Sequence, residues 1–225
     1  VYSSGYQECE YRKVQYRPME YVGEKDHSIS HTRHVIFLKP QYYVAVDFLD
    51  GEGKHRYDNH FHLNAPSAEM DEETKEVHTL RYDNVQLGLY AMDRDNLNGK
   101  IVKGQKNPIL GWLPSEKKPI PTLVYSKEEN APATFSTLLY PYSGEKPEVT
   151  YEGIMENRED VWGKNITTPH ETVSLILNRN QSAISVDSKL VSSFSADSEI
   201  ILVRKPGNKT GKHLGFSDIS KYEDK

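Results

Sequence analysis

The sequence predicts an all-β fold: a large antiparallel β-sandwich of two or more stacked sheets, with little helix. Three observations carry that expectation. Apolar side chains recur with a period of about two rather than about 3.6, which is the signature of strands. Turn-forming residues, Gly, Asn, Asp and Pro, separate the apolar runs at short intervals. Tyrosine is abundant, at 15 residues, and a Tyr-rich, β-branched, polar chain suits sheets with one wet face.

Taken in order, His27, His31 and His34 gather before the apolar run Val35 to Leu38, and Tyr42 to Leu49 is a second dense run. Both fit central strands buried on two faces. Asp50-Gly51-Glu52-Gly53 is a turn. In Arg56 to Leu63, Tyr57, Asn59, Phe61 and Leu63 fall on one face and Asp58, His60 and His62 on the other. Ala68 to Val77 is acidic and poor in apolar residues, so it reads as a loop or marginal turn. Val85, Leu87, Leu89 and Ala91 line one face of another strand. Asn98-Gly99 suits a type I′ hairpin turn, because both residues tolerate positive φ. Pro108 to Pro121, with four prolines and Trp112, reads as a long irregular loop, a kind of segment that often carries function. Ser143-Gly144 is a further turn. Val173, Leu175 and Leu177 mark a strand, as does Ile200 to Val203, and Pro206-Gly207-Asn208 is a turn. About a dozen strands are expected on this spacing. Residues 1 to 206 read as a single sandwich domain, and 207 to 225 as a polar, partly disordered tail.

The chain has 225 residues, 33 acidic and 28 basic, for a net charge of −5. It is long enough to bury a core without disulfide or metal staples. No Lys/Arg block stands out, so nucleic acid and a polybasic membrane anchor are not expected as partners. No apolar stretch reaches the ~18 residues of a membrane-spanning helix. The single cysteine, Cys9, allows no intrachain disulfide framework, and Glu8 and Glu10 beside it disfavour a thiolate nucleophile. The chain begins at Val1 and shows no signal peptide, so it is expected to be a processed protein or a piece of a longer one.

Several residues can carry chemistry. His60 and His62, two apart on one strand face, are weak candidates for a transition-metal pair, with His55, Asp58 or a neighbouring histidine as a third ligand. Trp112 is a candidate for stacking on a sugar ring, against the alternative that it anchors its loop, and Trp162, read as lying in a second polar loop, is a second aromatic of the same kind. Arg33 and Arg56 are candidates for gripping a carboxylate or sulfate bidentately, or else form cross-strand ion pairs. Sequons occur at Asn165, Asn180 and Asn208. The sequence holds no His-Glu-x-x-His, Gly-x-Ser-x-Gly or Walker pattern, so none of those hydrolytic signatures applies.

One run adds a further reading. His31-Thr32-Arg33-His34 is a basic step, Val35-Ile36-Phe37-Leu38 an apolar strand, Lys39-Pro40-Gln41-Tyr42 a short turn, and the next strand runs to Asp47. Gly53 to Tyr57, Phe61-His62-Leu63, Gly111-Trp112-Leu113 and Phe135 to Tyr142 follow in order. Together these resemble the C-terminal β-sheet domain of heparinase II/III-like polysaccharide lyases, over roughly Tyr6 to Arg204.

That resemblance implies a parent protein with an N-terminal α/α toroid ahead of the sheet domain, and zinc or calcium is compatible with such a parent. The family cleaves acidic, uronate-containing polysaccharide by β-elimination: a base removes the proton α to the carboxylate, an Asn or cation neutralises that carboxylate, and a Tyr or His protonates the leaving oxygen. In the family those groups sit on the toroid and in a His-x-Asp-x-Gly-like stretch at the start of the sheet domain. This chain has neither, so no catalytic residue is carried onto it. The resemblance therefore implies a module that packs against a toroid, forms one wall of a substrate cleft, has acidic polysaccharide as its partner and is itself inactive. A periplasmic or secreted location goes with polymeric substrates. Alternatives are a stand-alone carbohydrate-binding module, a metal enzyme built on His60 and His62, and a cell-surface adhesive sandwich.

Overall fold

A computed structural model of the chain describes residues 2–5, 9–16, 28–155, 158–188, 190–206 and 215–218, and the side chains of 28–155, 158–186, 190 and 194–205. The described residues form strands and turns with no helix, as the period of two requires. They divide into two compact units, Val1–Lys146 and Pro147–Lys225, where the sequence suggested one domain over 1–206.

In the first unit the strands are β1 (Tyr2–Gly5), β2 (Cys9–Tyr16), β3 (Ile29–Leu38), β4 (Tyr42–Gly51) and β5 (Lys54–His62). There follow β6 (Ser67–Met70), β7 (Val77–Leu80), β8 (Val85–Ala91) and β9 (Asn98–Lys103). Four short pieces come next, β10 (Gln105–Lys106), β11 (Ile109–Leu110), β12 (Trp112–Leu113) and β13 (Lys118–Pro119), then the long β14 (Pro121–Asn130) and β15 (Ala133–Ser143). An eight-stranded antiparallel sheet runs in the order β1-β2-β3-β4-β15-β8-β7-β6, and a three-stranded sheet in the order β5-β14-β9.

The two sheets share one apolar core. Tyr57, Leu123 and Tyr125 from the smaller sheet meet Val77, Leu89, Ala91, Ala133 and Phe135 from the larger, with Ile101, Met70 and Leu49 packed against them. Burying a large apolar side chain contributes roughly 1.5–3 kcal/mol. At the centre of the larger sheet the opposite face is covered too: Ile36, Val44, Val46 and Leu138 are fully buried. β4 accordingly loses its alternation over Val44–Phe48, as expected for a strand covered on both sides. β3 keeps it: Thr32, His34, Ile36 and Leu38 are buried and the residues between them are half-buried.

Three local readings change. Asn98 and Gly99 are not a hairpin turn but the first residues of β9, opposite Ser126 and Tyr125 of β14. A Cβ on Gly99 would lie 2.8 Å from Met70 Sδ, so this glycine answers to core crowding. The positive φ falls on Asn96 instead. Pro108 to Pro121 is more ordered than an irregular loop: β11 within it pairs back with β10 just before it, and the two-residue ladder β12–β13 is folded inside it. Ala68 to Val77 is a loop only over 71–76, where the Asp71 side chain accepts hydrogen bonds from the Glu73 and Thr74 amides; Ser67–Met70 before it is a strand paired with β7.

The second unit holds β16 (Thr150–Gly153), β17 (Val161–Thr167), β18 (Glu171–Asn178), β19 (Ile184–Ser188), β20 (Val191–Ala196), β21 (Ile200–Pro206) and β22 (Gly215–Asp218). A five-stranded sheet runs β16-β17-β18-β21-β22, and β19-β20 is a separate hairpin. Ile154, Val161, Ile176 and Ile201 of the sheet side pack with Ile184, Val186, Phe194 and Ala196 of the hairpin. The expected tail thus contributes β22, paired with β21; 207–214 and 219–225 lie outside the described residues, as do His27, the Asn208 sequon and the Cys9 side chain.

Candidate functional site

Period-two spacing puts His31 and Arg33 on the same face of β3. Register sets Asp47 of β4 directly opposite Arg33. Asp47 is 2% exposed, so its charge needs partners. It finds them from both sheets. Arg33 donates from Nε to Asp47 Oδ1 at 2.5 Å and from Nη2 to Oδ2 at 3.0 Å. His31 Nε2 lies 2.6 Å from Oδ1, and against an ionised carboxylate that nitrogen is the donor. From the facing sheet, Asn59 of β5 donates Nδ2 to Asp47 Oδ2 at 3.1 Å and accepts from Arg33 Nη2 at 2.7 Å. The guanidinium also sits 6.0 Å from the centre of the Phe61 ring.

Burial on its own would raise the Asp47 pKa. The hydrogen bonds and charges of His31 and Arg33 outweigh it and hold the carboxyl below its ordinary range. The four side chains form a polar hub that ties the two sheets together.

Beside the hub is a cleft of about 470 Å³, lined by His31, Arg33, Asp47 and Asn59 on one side, by Leu49, Tyr57 and Phe135, and by Arg56, Asp58 and His60 along β5. β5 ends its sheet, with β14 on one side and no described strand on the other. On its exposed face Asp58 Oδ1 accepts from Ser126 Oγ at 2.6 Å and from Arg56 Nε at 3.3 Å. The combination of an apolar wall, a rigid polar wall and a polar lip can hold a small polar organic ligand.

The residues singled out from the sequence are partly gathered here. Arg33 and Arg56 share the cleft, but Arg33 is committed to Asp47 and Asn59 within the hub. Trp112 does not line it. Its indole N–H donates to the Gln105 carbonyl at 2.8 Å and its ring is half-buried, an anchor between β10 and β12. Trp162 is not in a polar loop but buried in strand β17. His60 and His62 project from one exposed face of β5, as their spacing demands. His55 faces the other way and reaches the Glu52 carbonyl, and His62 Nδ1 lies 2.9 Å from Thr122 Oγ1. Among the described residues no group of three or more His, Cys, Asp or Glu side chains is placed to hold a metal ion. Asn165 is buried and bonded to Glu152 and Ser174, so its sequon is not an open acceptor.

His31, Asp47 and Asn59 were not read as a cluster from the sequence. Asp47 did leave a signal: it is the lone charged residue in the apolar run Tyr42 to Leu49. Asn59 left none.

Gly111 secures the Trp112 anchor. Its φ is +76°, and a Cβ there would lie 2.6 Å from the Val102 carbonyl and 2.8 Å from Lys103 Cα. Gly111→Ala is expected to cost about 2–4 kcal/mol, from the left-handed backbone and the backbone clash together. Chemical denaturation read by tryptophan fluorescence measures it.

No protein-family model matches the chain. Among curated proteins, the heparin-sulfate lyase of Pedobacter heparinus is 23% identical over 172 residues, which are 75% of this chain and 24% of that protein. Among solved structures, a crystal structure of a mutant of the heparan sulfate lyase HepC from Pedobacter heparinus superposes with a TM-score of 0.64 at 17% identity, covering 79% of this chain and 27% of that one. A crystal structure of heparinase III gives 0.61 at 15% identity, covering 78% and 26%. The chain spans about a quarter of the length of the relatives it matches. The resemblance read from the sequence is borne out: this β-fold is similar to part of those lyases.

Proposed function

We propose that the chain is the β-sheet module of a polysaccharide lyase acting on acidic, uronate-containing polysaccharide, supporting the substrate cleft while the bond-breaking groups are supplied from elsewhere. The observation that carries this reading is the likeness to heparin- and heparan-sulfate lyases over three quarters of the chain. Those relatives are far longer than the matched region, which supports an α/α toroid as the module's partner.

The hub supports a scaffolding role. A carboxylate held as an anion by His31, Arg33 and Asn59 makes a stiff wall, and a group so fully engaged is poorly suited to gaining and losing protons during a reaction. A polymeric acidic substrate goes with a periplasmic or secreted location.

The test is direct. The purified chain, incubated with heparan sulfate and with alginate, is expected to release no unsaturated uronate product by ultraviolet absorbance. Sustained elimination by this chain alone would reject the module reading.

A further inference from the structure

We propose that the cleft along the free edge of β5 is a subsite for one acidic sugar ring, with Arg56 receiving the ring's carboxylate or sulfate, and Asp58 and His60 its hydroxyls. The inference rests on the lyase-module reading and names where, on this chain, the polysaccharide touches it.

Size comes first. The cleft's 470 Å³ falls among small-molecule sites, which run from about 300 to about 1,000 Å³. Its lining is of two kinds. Leu49 offers partly exposed apolar surface, backed by the buried rings of Tyr57 and Phe135, of the sort that meets the C–H face of a sugar. Tyr57 is 7% exposed, and its hydroxyl makes no hydrogen bond within the described residues. A buried hydroxyl of this kind calls for a partner.

The lip supplies groups still free to bind. Arg56 uses only Nε, toward Asp58, and neither terminal nitrogen hydrogen bonds to a described residue. Asp58 takes both of its hydrogen bonds on Oδ1, which leaves Oδ2 open. His60 is exposed, with neither ring nitrogen engaged by a described residue. These side chains alternate along one face of β5, in steps of about 6.7 Å. A planar guanidinium presents two parallel N–H donors to a carboxylate or sulfate. The neighbouring carboxylate oxygen accepts from a hydroxyl, and an imidazole nitrogen serves either way.

The site is also held in place. Ser126 fixes Asp58, Asp58 steadies Arg56, and the hub locks the rear wall. Little ordering is left for the ligand to impose. Arg33 offsets the Asp47 charge inside the hub, so an anion in the cleft does not face a bare buried carboxylate.

Titration of the purified chain with a heparan sulfate tetrasaccharide, followed by calorimetry and by histidine NMR signals, tests this. Saturable binding is expected, with the imidazole signals of His31 and His60 shifting and that of His170 still. A neutral tetrasaccharide is expected to bind at least about tenfold more weakly. Arg56→Ala is expected to weaken the acidic ligand at least about tenfold, the loss of one charge-assisted hydrogen bond. Arg81→Ala, an exposed arginine paired with Asp83 outside the cleft, leaves affinity unchanged. Since Arg56 is 61% exposed, its variant retains the fold, which a melting curve verifies. No saturable binding, or full affinity in Arg56→Ala, overturns the subsite and leaves the module reading standing. Elimination by the chain alone removes the module reading whatever the titration gives.

Discussion

Asp47→Ala is expected to lower the unfolding free energy of the chain by about 2–4 kcal/mol. Removing one member of a buried charged pair costs more than the pair contributed, because the charge left behind has lost its counter-ion in a poorly solvated site. Here two basic groups and an amide lose their acceptor together. Arg33 and His31 stay 24% and 31% exposed, so water relieves part of the loss and the figure falls below that for a fully enclosed pair. Urea denaturation of the wild type and the variant at neutral pH measures it. A difference below about 0.5 kcal/mol, the scale of an ordinary surface substitution, would mean that the hub does not hold the two sheets together.

The same carboxylate predicts a pH dependence. Asp47 is held below its ordinary value, so the folded state has the lower pKa. Its contribution to stability is therefore fully present above the unfolded carboxyl value of about 3.9 and is lost as pH falls through the lower folded value. The gap between the wild type and Asp47→Asn should stay constant from pH 7 to about pH 5 and narrow below pH 4. A gap that widened on acidification would contradict the assignment of the charge.

Glu171→Ala is expected to cost about 3–4 kcal/mol in the second unit. Glu171 is 4% exposed and receives Arg204 in a two-pronged clasp, Nε to Oε2 at 2.7 Å and Nη2 to Oε1 at 3.0 Å. Arg204 is itself only 15% exposed, so this clasp is drier than the Asp47 hub and its disruption is less relieved by water. Glu171→Gln keeps the shape and one acceptor, and is expected to cost less than the alanine variant. Amide hydrogen exchange along β18 and β21, compared with the melting temperature, separates local opening from global loss. Unchanged exchange at Val173 and Leu202, central to the paired strands, would rule out the clasp as a stabilising element.

Much of the architecture was legible because alternation is a local property. The two faces of β5 were assigned correctly from side-chain character alone: Tyr57, Asn59 and Phe61 inward, Asp58, His60 and His62 outward. The turns at Gly53 and Gly144 are where the glycines suggested, each with positive φ. Asn98-Gly99 misled because a dipeptide preference is weak beside the six residues of β14 that pair with β9. The proline-rich segment concealed its ladders because two-residue pieces are too short to show a period. The hub was hidden for a different reason. Its members lie 14, 12 and 26 residues apart, on three strands from two sheets. Alternation says which face a residue takes and nothing about what stands across from it. Both roles were open for Arg33 and Arg56, an anion grip or a cross-strand ion pair, and Arg33 takes the second with Asp47, since a guanidinium looks the same in sequence whether it grips a ligand or a neighbour.

β5 assigns its odd positions to the interior and its even positions to solvent, so frame matters along it as it does in a reading frame. A one-residue insertion in the 52–53 turn would turn Asp58 toward Asp47, setting two carboxylates against each other, and would send Asn59 out to water. Mechanical support and the proposed sugar contact would then fail in one event, because they are written on alternate letters of the same short stretch of chain.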